Sequence, residues 1–465
     1  MDNQPILALN AFAGGAAADL GVALEARLRQ RQRLFGAASV LFYDRPLEFV
    51  RGAGCWLYDA DGAAYLDAYN NVPSVGHCHP RIAEAAARQF AELNVHNRYL
   101  HPGILDYAER LLAKFPAALS NVTFTCTGSE SNDLALRLAG NFTGGRGVIV
   151  TESGYHGNTA LVTAVSPTLM QHPRAPEWVR FVPAPQASRA SATGVSQGAS
   201  ETFAANVAAA IEDLQAQGVG FAALLIDSIF SSDGVFADPP GFLRATVDVV
   251  HQARGLFIAD EVQSGFGRTG TWWGFERHGV TPDVVTLGKP MGNGYPLGAV
   301  LTRPEILAAY CAKFGYFNTF AGSPVAAAAG QAVLEVIDRE ALIVNAGHVG
   351  AQLARGLRDL AARHQVIGDV RGAGLYLGVD LVADGSASAP AGAPAPALAK
   401  AVINGLRDRR VLIGAAGKFG STLKIRPPLC FSPGNADHLL EVLDDVLSAA
   451  VKSVATVRSG TAGHA

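Results

Sequence analysis

Two ionisable residues stand apart because each closes a short apolar run. GLFIA leads into Asp260 and DVVTLG into Lys289, and both runs have the length and β-branched content of a buried strand. In an open α/β sheet, ligands bind in the crevice beyond the carboxyl ends of the strands, so an acid and an amine delivered there face a common space. An amine in an apolar pocket has a depressed pKa and can form a Schiff base with an aldehyde. A carboxylate on the far side can keep a pyridine nitrogen protonated and make the ring an electron sink for a carbanion. That is the chemistry of pyridoxal 5'-phosphate. Of the seven lysines, 114, 289, 313, 400, 418, 424 and 452, only Lys289 follows an apolar strand and opens a Gly/Pro-rich loop, PMGNGYP. The competing reading is an exposed lysine after a strand, spaced by chance.

Other stretches supply what such a cofactor needs. NVTFTCTGSESNDLALRLAGNF reads as strand, tight turn and helix, with Gly128 and Ser129 at a helix start, where unpaired N–H groups and the macrodipole favour a phosphate. An ordinary capped helix is the plain alternative. GVIVTESGYHGNT is a strand ending at Tyr155, whose ring can stack on a flat heterocycle or fill a core. The central stretch also contains GFGRTG, Gly265 to Gly270, which satisfies the dinucleotide pattern; TWWGFERHG follows it without helical period, and Asp283 comes too early to meet a ribose. A nicotinamide dehydrogenase is therefore a distant alternative. YNNVPSVGHCHP brings Asn70, Asn71, His77, Cys78 and His79 together, but three ligands so close in sequence converge poorly on one ion, and no metal is assigned.

ADEVQSGFGRTG and TLGKPMGNGYPLGA resemble the signature of class III (ω-type) pyridoxal-phosphate aminotransferases, and the likeness runs from about residue 20 to 450. It implies fold type I, with Lys289 as the Schiff-base lysine, Asp260 as partner of the pyridine nitrogen and Gln263 beside the ring's phenolic oxygen. It further implies that Gly128 and Ser129 hold the cofactor phosphate, that Tyr155 stacks on the ring, and that Thr319, in YFNTFAGSPVAAAAG, reaches the phosphate of a partner subunit. A homodimer with shared active sites follows. In many relatives an arginine three residues before the Pro-Pro of the last strand binds the substrate α-carboxylate, and a glutamate-proline pairs with it. Here LKIRPPL has Lys424 and Arg426 on one strand face, and FAALLIDSIF has Asp227-Ser228, so a modified substrate gate is expected.

The expected activity is that of an aminotransferase, moving an amino group from an amino acid or an ω-amine or diamine donor to a keto acid, pyruvate or 2-oxoglutarate, through ping-pong half-reactions on Lys289. The same motifs resemble a subgroup containing phospho-lyases, which eliminate phosphate from small phosphorylated amines. Arg98 and Arg268 sit in motifs that both groups could share.

Elements must position these residues. At 465 residues, 49% hydrophobic and 17% charged, the chain exceeds a single core. Strands alternating with helical patterns predict a mostly parallel central sheet sandwiched by helices, with a small α+β domain drawn from both termini. The expected organisation is residues 1–74 as the N-terminal part of the small domain, 75–335 as the large cofactor-binding domain and 336–465 as the C-terminal part. ALEARLRQRQRLFG is expected to be an amphipathic helix and residues 1–20 a tail. Residues 171–202 read as a surface excursion, ADGSASAPAGAPAPA as a loop and RSGTAGHA as a tail. A net charge of -3 gives no field for nucleic acid; five scattered cysteines without C-x-x-C spacing fit a reduced compartment, and nothing reads as a signal peptide or membrane span. A cytoplasmic protein is expected.

Overall fold

The computed structural model describes residues 8–12, 20–38, 40–170, 173–185, 198–383 and 392–461. Its first strands are β1 (Phe49–Ala53), β2 (Trp56–Asp59) and β3 (Ala64–Asp67), the last two turned at Gly62, whose φ of 83° suits glycine. The central sheet contains β4 (Asn121–Thr125), β5 (Gly147–Thr151), β6 (Val179–Val182), β7 (Phe221–Asp227), β8 (Leu256–Asp260), β9 (Val284–Leu287) and β10 (Gly298–Thr302), in the order β4-β10-β9-β8-β7-β5-β6. Strands β5 to β9 are parallel, and β10 is antiparallel to both its neighbours.

The apolar runs are explained by burial of both sheet faces. Ala223, Leu225, Leu256, Ile258 and Val284 join one core, while the residues between them, Leu224, Ile226, Phe257, Ala259 and Val285, join the other. Leading helices are α1 (Val22–Phe35), α2 (Pro80–Glu92), α3 (Pro102–Leu112) and α4 (Gly128–Thr143). Leu134 and Leu138 of α4 close the first of those cores. The register places Asp227 beside Asp260 and Asp260 beside Thr286, so three parallel strands end level with one another.

The C-terminal strands are β11 (Ile367–Ala373), β12 (Tyr376–Leu381), β13 (Val411–Leu412), β14 (Gly414–Ala416) and β15 (Thr422–Ile425). Strand β13 pairs in parallel with β3, which joins the two ends of the chain in one sheet, and β11-β12-β15-β14 form another. This is the fold type I architecture that the motifs imply.

Four local expectations differ from what is observed. Helix α1 forms, but none of its residues is buried in the single chain, because RLRQRQR leaves no continuous apolar stripe. Residues 8–12 are not a free tail: Leu9 is buried, and the Asn10 carbonyl accepts from Tyr43 N at 2.9 Å. Within the 171–202 excursion, VRFV forms edge strand β6, too short to show a period, while 186–197 lie outside the described residues. The final helix runs Pro433–Thr461 and takes in the start of RSGTAGHA; residues 462–465, and 384–391 of the Ala/Pro-rich loop, also lie outside them. Among the described residues no helix is long and apolar enough to cross a membrane.

Candidate active site

Asp260 ends β8 and is 4% exposed. Its Oδ2 accepts from His156 Nδ1 at 2.7 Å and Asn132 Nδ2 at 2.9 Å, and its Oδ1 from Val262 N at 3.1 Å. Asn132 is fixed in turn, because Thr286 Oγ1 donates to its Oδ1 at 2.7 Å. A carboxylate only accepts, so His156 Nδ1 carries the proton of that bond; its Nε2 is buried without a partner among the described residues. The carboxylate is thus locked in place by α4, the Tyr155 loop and β9.

Lys289 leaves β9 through Gly288, where a Cβ would lie 2.9 Å from Gly128 N; the missing side chain lets the lysine turn approach the start of α4. Lys289 is partly buried and borders two adjoining cavities, of ≈ 340 and ≈ 220 Å³. Burial lowers the pKa of its amine, Asp260 opposes that shift and Arg426 adds to it. The Tyr155 ring lines both cavities, its centroid 5.9 Å from Lys289 Nζ, and burial followed by the charge of Asp260 raises its phenol.

At the other side of the larger cavity, Thr127 caps α4 by accepting from Glu130 N at 3.1 Å. Glu130 reaches back to Cys126 N at 2.7 Å, so the turn is held from both ends. Among the described residues, Gly128 N and Ser129 N have no acceptor, and both residues border the cavity. Gly157 packs on this turn with φ 136°; a Cβ there would come 2.5 Å from Ser129 Oγ.

Gln263 stands between the two cavities. Its Oε1 accepts from Arg426 Nη1 at 2.8 Å and Tyr376 OH at 3.1 Å, and its Nε2 donates to Ser231 Oγ at 2.6 Å. Arg426 also lies 4.6 Å over the Tyr69 ring, and its Nε is buried with no acceptor. Lys424, on β15, is 3% exposed and paired across the strands with Gly378 and Gly414. Among the described residues, neither Lys424 nor Arg426 has an ion-pair partner; burial first, then Arg426, holds the Lys424 amine well below its usual pKa. Asp227 does not pair with either cation. It accepts from Ser231 Oγ and from Ile229 N at 3.0 Å, and burial raises its pKa. The shorter acid closes onto its own loop and falls short of the cation pair.

The remaining candidates lie elsewhere. Thr319 is exposed and does not border either cavity, though its neighbour Asn318 donates to Glu130 Oε2 at 3.0 Å. Arg98 is exposed over Phe317, and Arg268 is buried, donating to the carbonyls of Leu375 and Pro427. His77 turns to Asp67 and His79 to Glu340. GFGRTG continues as turns into a 3-10 segment, Gly274–His278, with no α-helix opening at it. Sequence reasoning passed over Asn132, His156, Ser231 and Tyr376. The legible signal was weak: Asn132 is a polar residue on the core-facing side of an otherwise apolar helix.

The sequence pattern of the aminotransferase class-III family matches residues 43–447. The chain belongs to that family. The alanine–glyoxylate aminotransferase 2-like protein of Drosophila melanogaster is 40% identical over 436 residues, covering 91% of this chain and 87% of that one. The ethanolamine-phosphate phospho-lyase homolog 1 of Caenorhabditis elegans is 37% identical over 438 residues, covering 90% and 93%. Among solved structures, a phospholyase from Arthrobacter in complex with phosphoethanolamine has a TM-score of 0.86 and 43% identity, covering 91% of this chain and 99% of that chain.

This class-III enzyme uses pyridoxal 5'-phosphate. The donor set fits: an amine whose pKa burial lowers, a locked carboxylate, an aromatic ring and two helix-start amides without an acceptor among the described residues border one cavity, and Gly157 packs on the turn of those amides where a Cβ would clash.

Proposed function

We propose that this enzyme eliminates phosphate from a small phosphorylated primary amine. The observation that carries the reading is the pair Lys424 and Arg426, buried, without a carboxylate partner among the described residues, and bordering the same cavity as Lys289. Burying two cations is costly unless an anion arrives to compensate them. A phosphate monoester brings nearly two negative charges at neutral pH, against one for a carboxylate. The resemblance to the Arthrobacter phospholyase supports the same assignment.

In this reading Gly128 and Ser129 would hold the cofactor phosphate, Tyr155 would hold its ring, Asp260 would serve the ring nitrogen and Gln263 the phenolic oxygen, all five bordering one cavity. When bound, pyridoxal phosphate supplies an electron-poor ring that acidifies the carbon next to the substrate nitrogen. The Lys289 amine takes that proton, and burial, by lowering its pKa, favours the unprotonated form that can do so. The electron pair expels phosphate from the adjacent carbon, and Lys424 and Arg426 take up the charge on the departing group. Asp260, pinned by His156 and Asn132, keeps its position while charge moves.

A second reading is favoured by the aminotransferase names of relatives such as the Drosophila protein. In it, Lys289 would move the substrate proton without loss of a leaving group, and the cation pair would hold the carboxylate of an amino acid or keto acid. Presenting O-phosphoethanolamine alone, and then an amino acid with pyruvate, while following inorganic phosphate and amino-group transfer, separates the two. Phosphate release without a keto acid supports elimination; amino transfer with no phosphate release overturns it. We further infer a homodimer in which Thr319 reaches the partner's cofactor phosphate, since Leu100 is 94% and Phe320 76% exposed. A monomer by sedimentation at full activity would refute it.

A further inference from the structure

Cys55 and Cys430 are separated by 375 positions, yet their sulfur atoms lie 3.4 Å apart. Cys55, after β1, is 3% exposed, while Cys430, four residues beyond Arg426, is partly exposed. A disulfide has an S–S distance of about 2.05 Å, so closure requires an approach of only about 1.4 Å. Gly76, at φ 111°, packs against Cys430, where a Cβ would lie 3.0 Å from its Sγ, so the absence of a side chain there is what admits the sulfur beside Cys55. Two neighbouring thiols serve no role in the reaction described above. Cys78 and Cys311 are exposed, but neither has a thiol beside it among the described residues.

We propose that Cys55 and Cys430 form a peroxide-sensitive dithiol that closes reversibly to a disulfide. The roles of the two sulfurs are distinct. Cys430 is the more exposed of the two and is the sulfur that a hydroperoxide reaches first, so Cys430 is the nucleophile and buried Cys55 the resolving thiol. The Cys430 thiolate attacks one oxygen of a hydroperoxide and hydroxide leaves, giving a sulfenic acid. The Cys55 sulfur then attacks the Cys430 sulfur, and the sulfenic oxygen departs as water carrying the Cys55 proton. Two thiols and one hydrogen peroxide thereby give one disulfide and two waters. The bond ties the segment after β15, which carries Arg426, to the β1–β3 sheet, where the Cys55 carbonyl accepts from Asp67 N at 2.8 Å, two residues before Tyr69 of the cavity wall.

The test is titration of the folded holoenzyme with hydrogen peroxide, followed by denaturing alkylation and peptide mapping without reductant. The expected result is one linked peptide pair containing Cys55 and Cys430, three of the five thiols left alkylatable, and full reversal by dithiothreitol. Cys55→Ser should stop the link and leave Cys430 trappable by dimedone. Both cysteines still alkylatable after Cys78 and Cys311 have oxidised, or Cys430 passing to sulfinic acid in the wild type without a link, would overturn the proposal.

Discussion

Lys424→Met tests the anion site directly, because methionine keeps most of the stem volume and removes only the charge. Lys424 is 3% exposed and has no ion-pair partner among the described residues, so the change leaves no orphaned carboxylate behind. A hydrogen bond from a charged group contributes about 1.5–3 kcal/mol, equivalent to a loss of about 10–150-fold in kcat/KM for O-phosphoethanolamine. Amino transfer from a donor without an anionic group should be little affected, and cofactor affinity should not change. Stability should move the other way. The folded-state pKa of Lys424 lies below its unfolded value of 10.5, so the unfolded chain binds the extra proton and the wild type gains stability as pH rises between the two values. At neutral pH the Met variant should therefore unfold at higher urea, with a flatter dependence on pH toward the alkaline side. Phosphate release under initial-rate conditions and urea melts at several pH values are the assays. A kcat/KM within twofold of the wild type would refute the assignment of the anion to this cation pair.

Asp260→Asn should cost about 10²–10³-fold in kcat, on the scale of a preorganised charge, and His156→Phe about tenfold, since Asn132 still holds the carboxylate; stopped-flow turnover with cofactor bound checks both, and equal losses would argue against a positioning role for the histidine. Gly157→Ala places a Cβ about 2.5 Å from Ser129 Oγ at a φ of 136°, so pyridoxal phosphate should bind at least about tenfold more weakly by fluorescence titration. Burial pushes the Asp233 carboxyl up to about 7, and its Oδ1 has no partner, so the folded state favours its protonated form. The stability it contributes is present below an unfolded pKa near 3.8 and is lost as pH rises through 7; Asp233→Asn should flatten urea midpoints across that window, and an unchanged slope would refute it.

What could be read locally was read from the sequence alone. Apolar runs predicted the parallel strands because each is buried on both faces. Asp260 and Lys289 stood out because an ionisable group at the end of such a run has to be exposed, paired or functional. The TGSES turn disclosed a helix start because capping depends on neighbours within four residues. The same locality explains what stayed hidden. Asn132 and Asp260 meet across 128 positions, Gln263 and Arg426 across 163, and Cys55 and Cys430 across 375. No periodicity or spacing rule reaches so far; only the packing of the sheets brings these groups within hydrogen-bond distance. Tertiary structure also decided which charges are compensated: Asp227 and Lys424 read as a shortened acid–base gate, but the loop after β7 turns the acid onto Ser231 and leaves the lysine facing the cavity beside Arg426. Burial and pairing are properties of the assembled fold, and they determine whether a cation in that wall is a structural partner or a place for an anion.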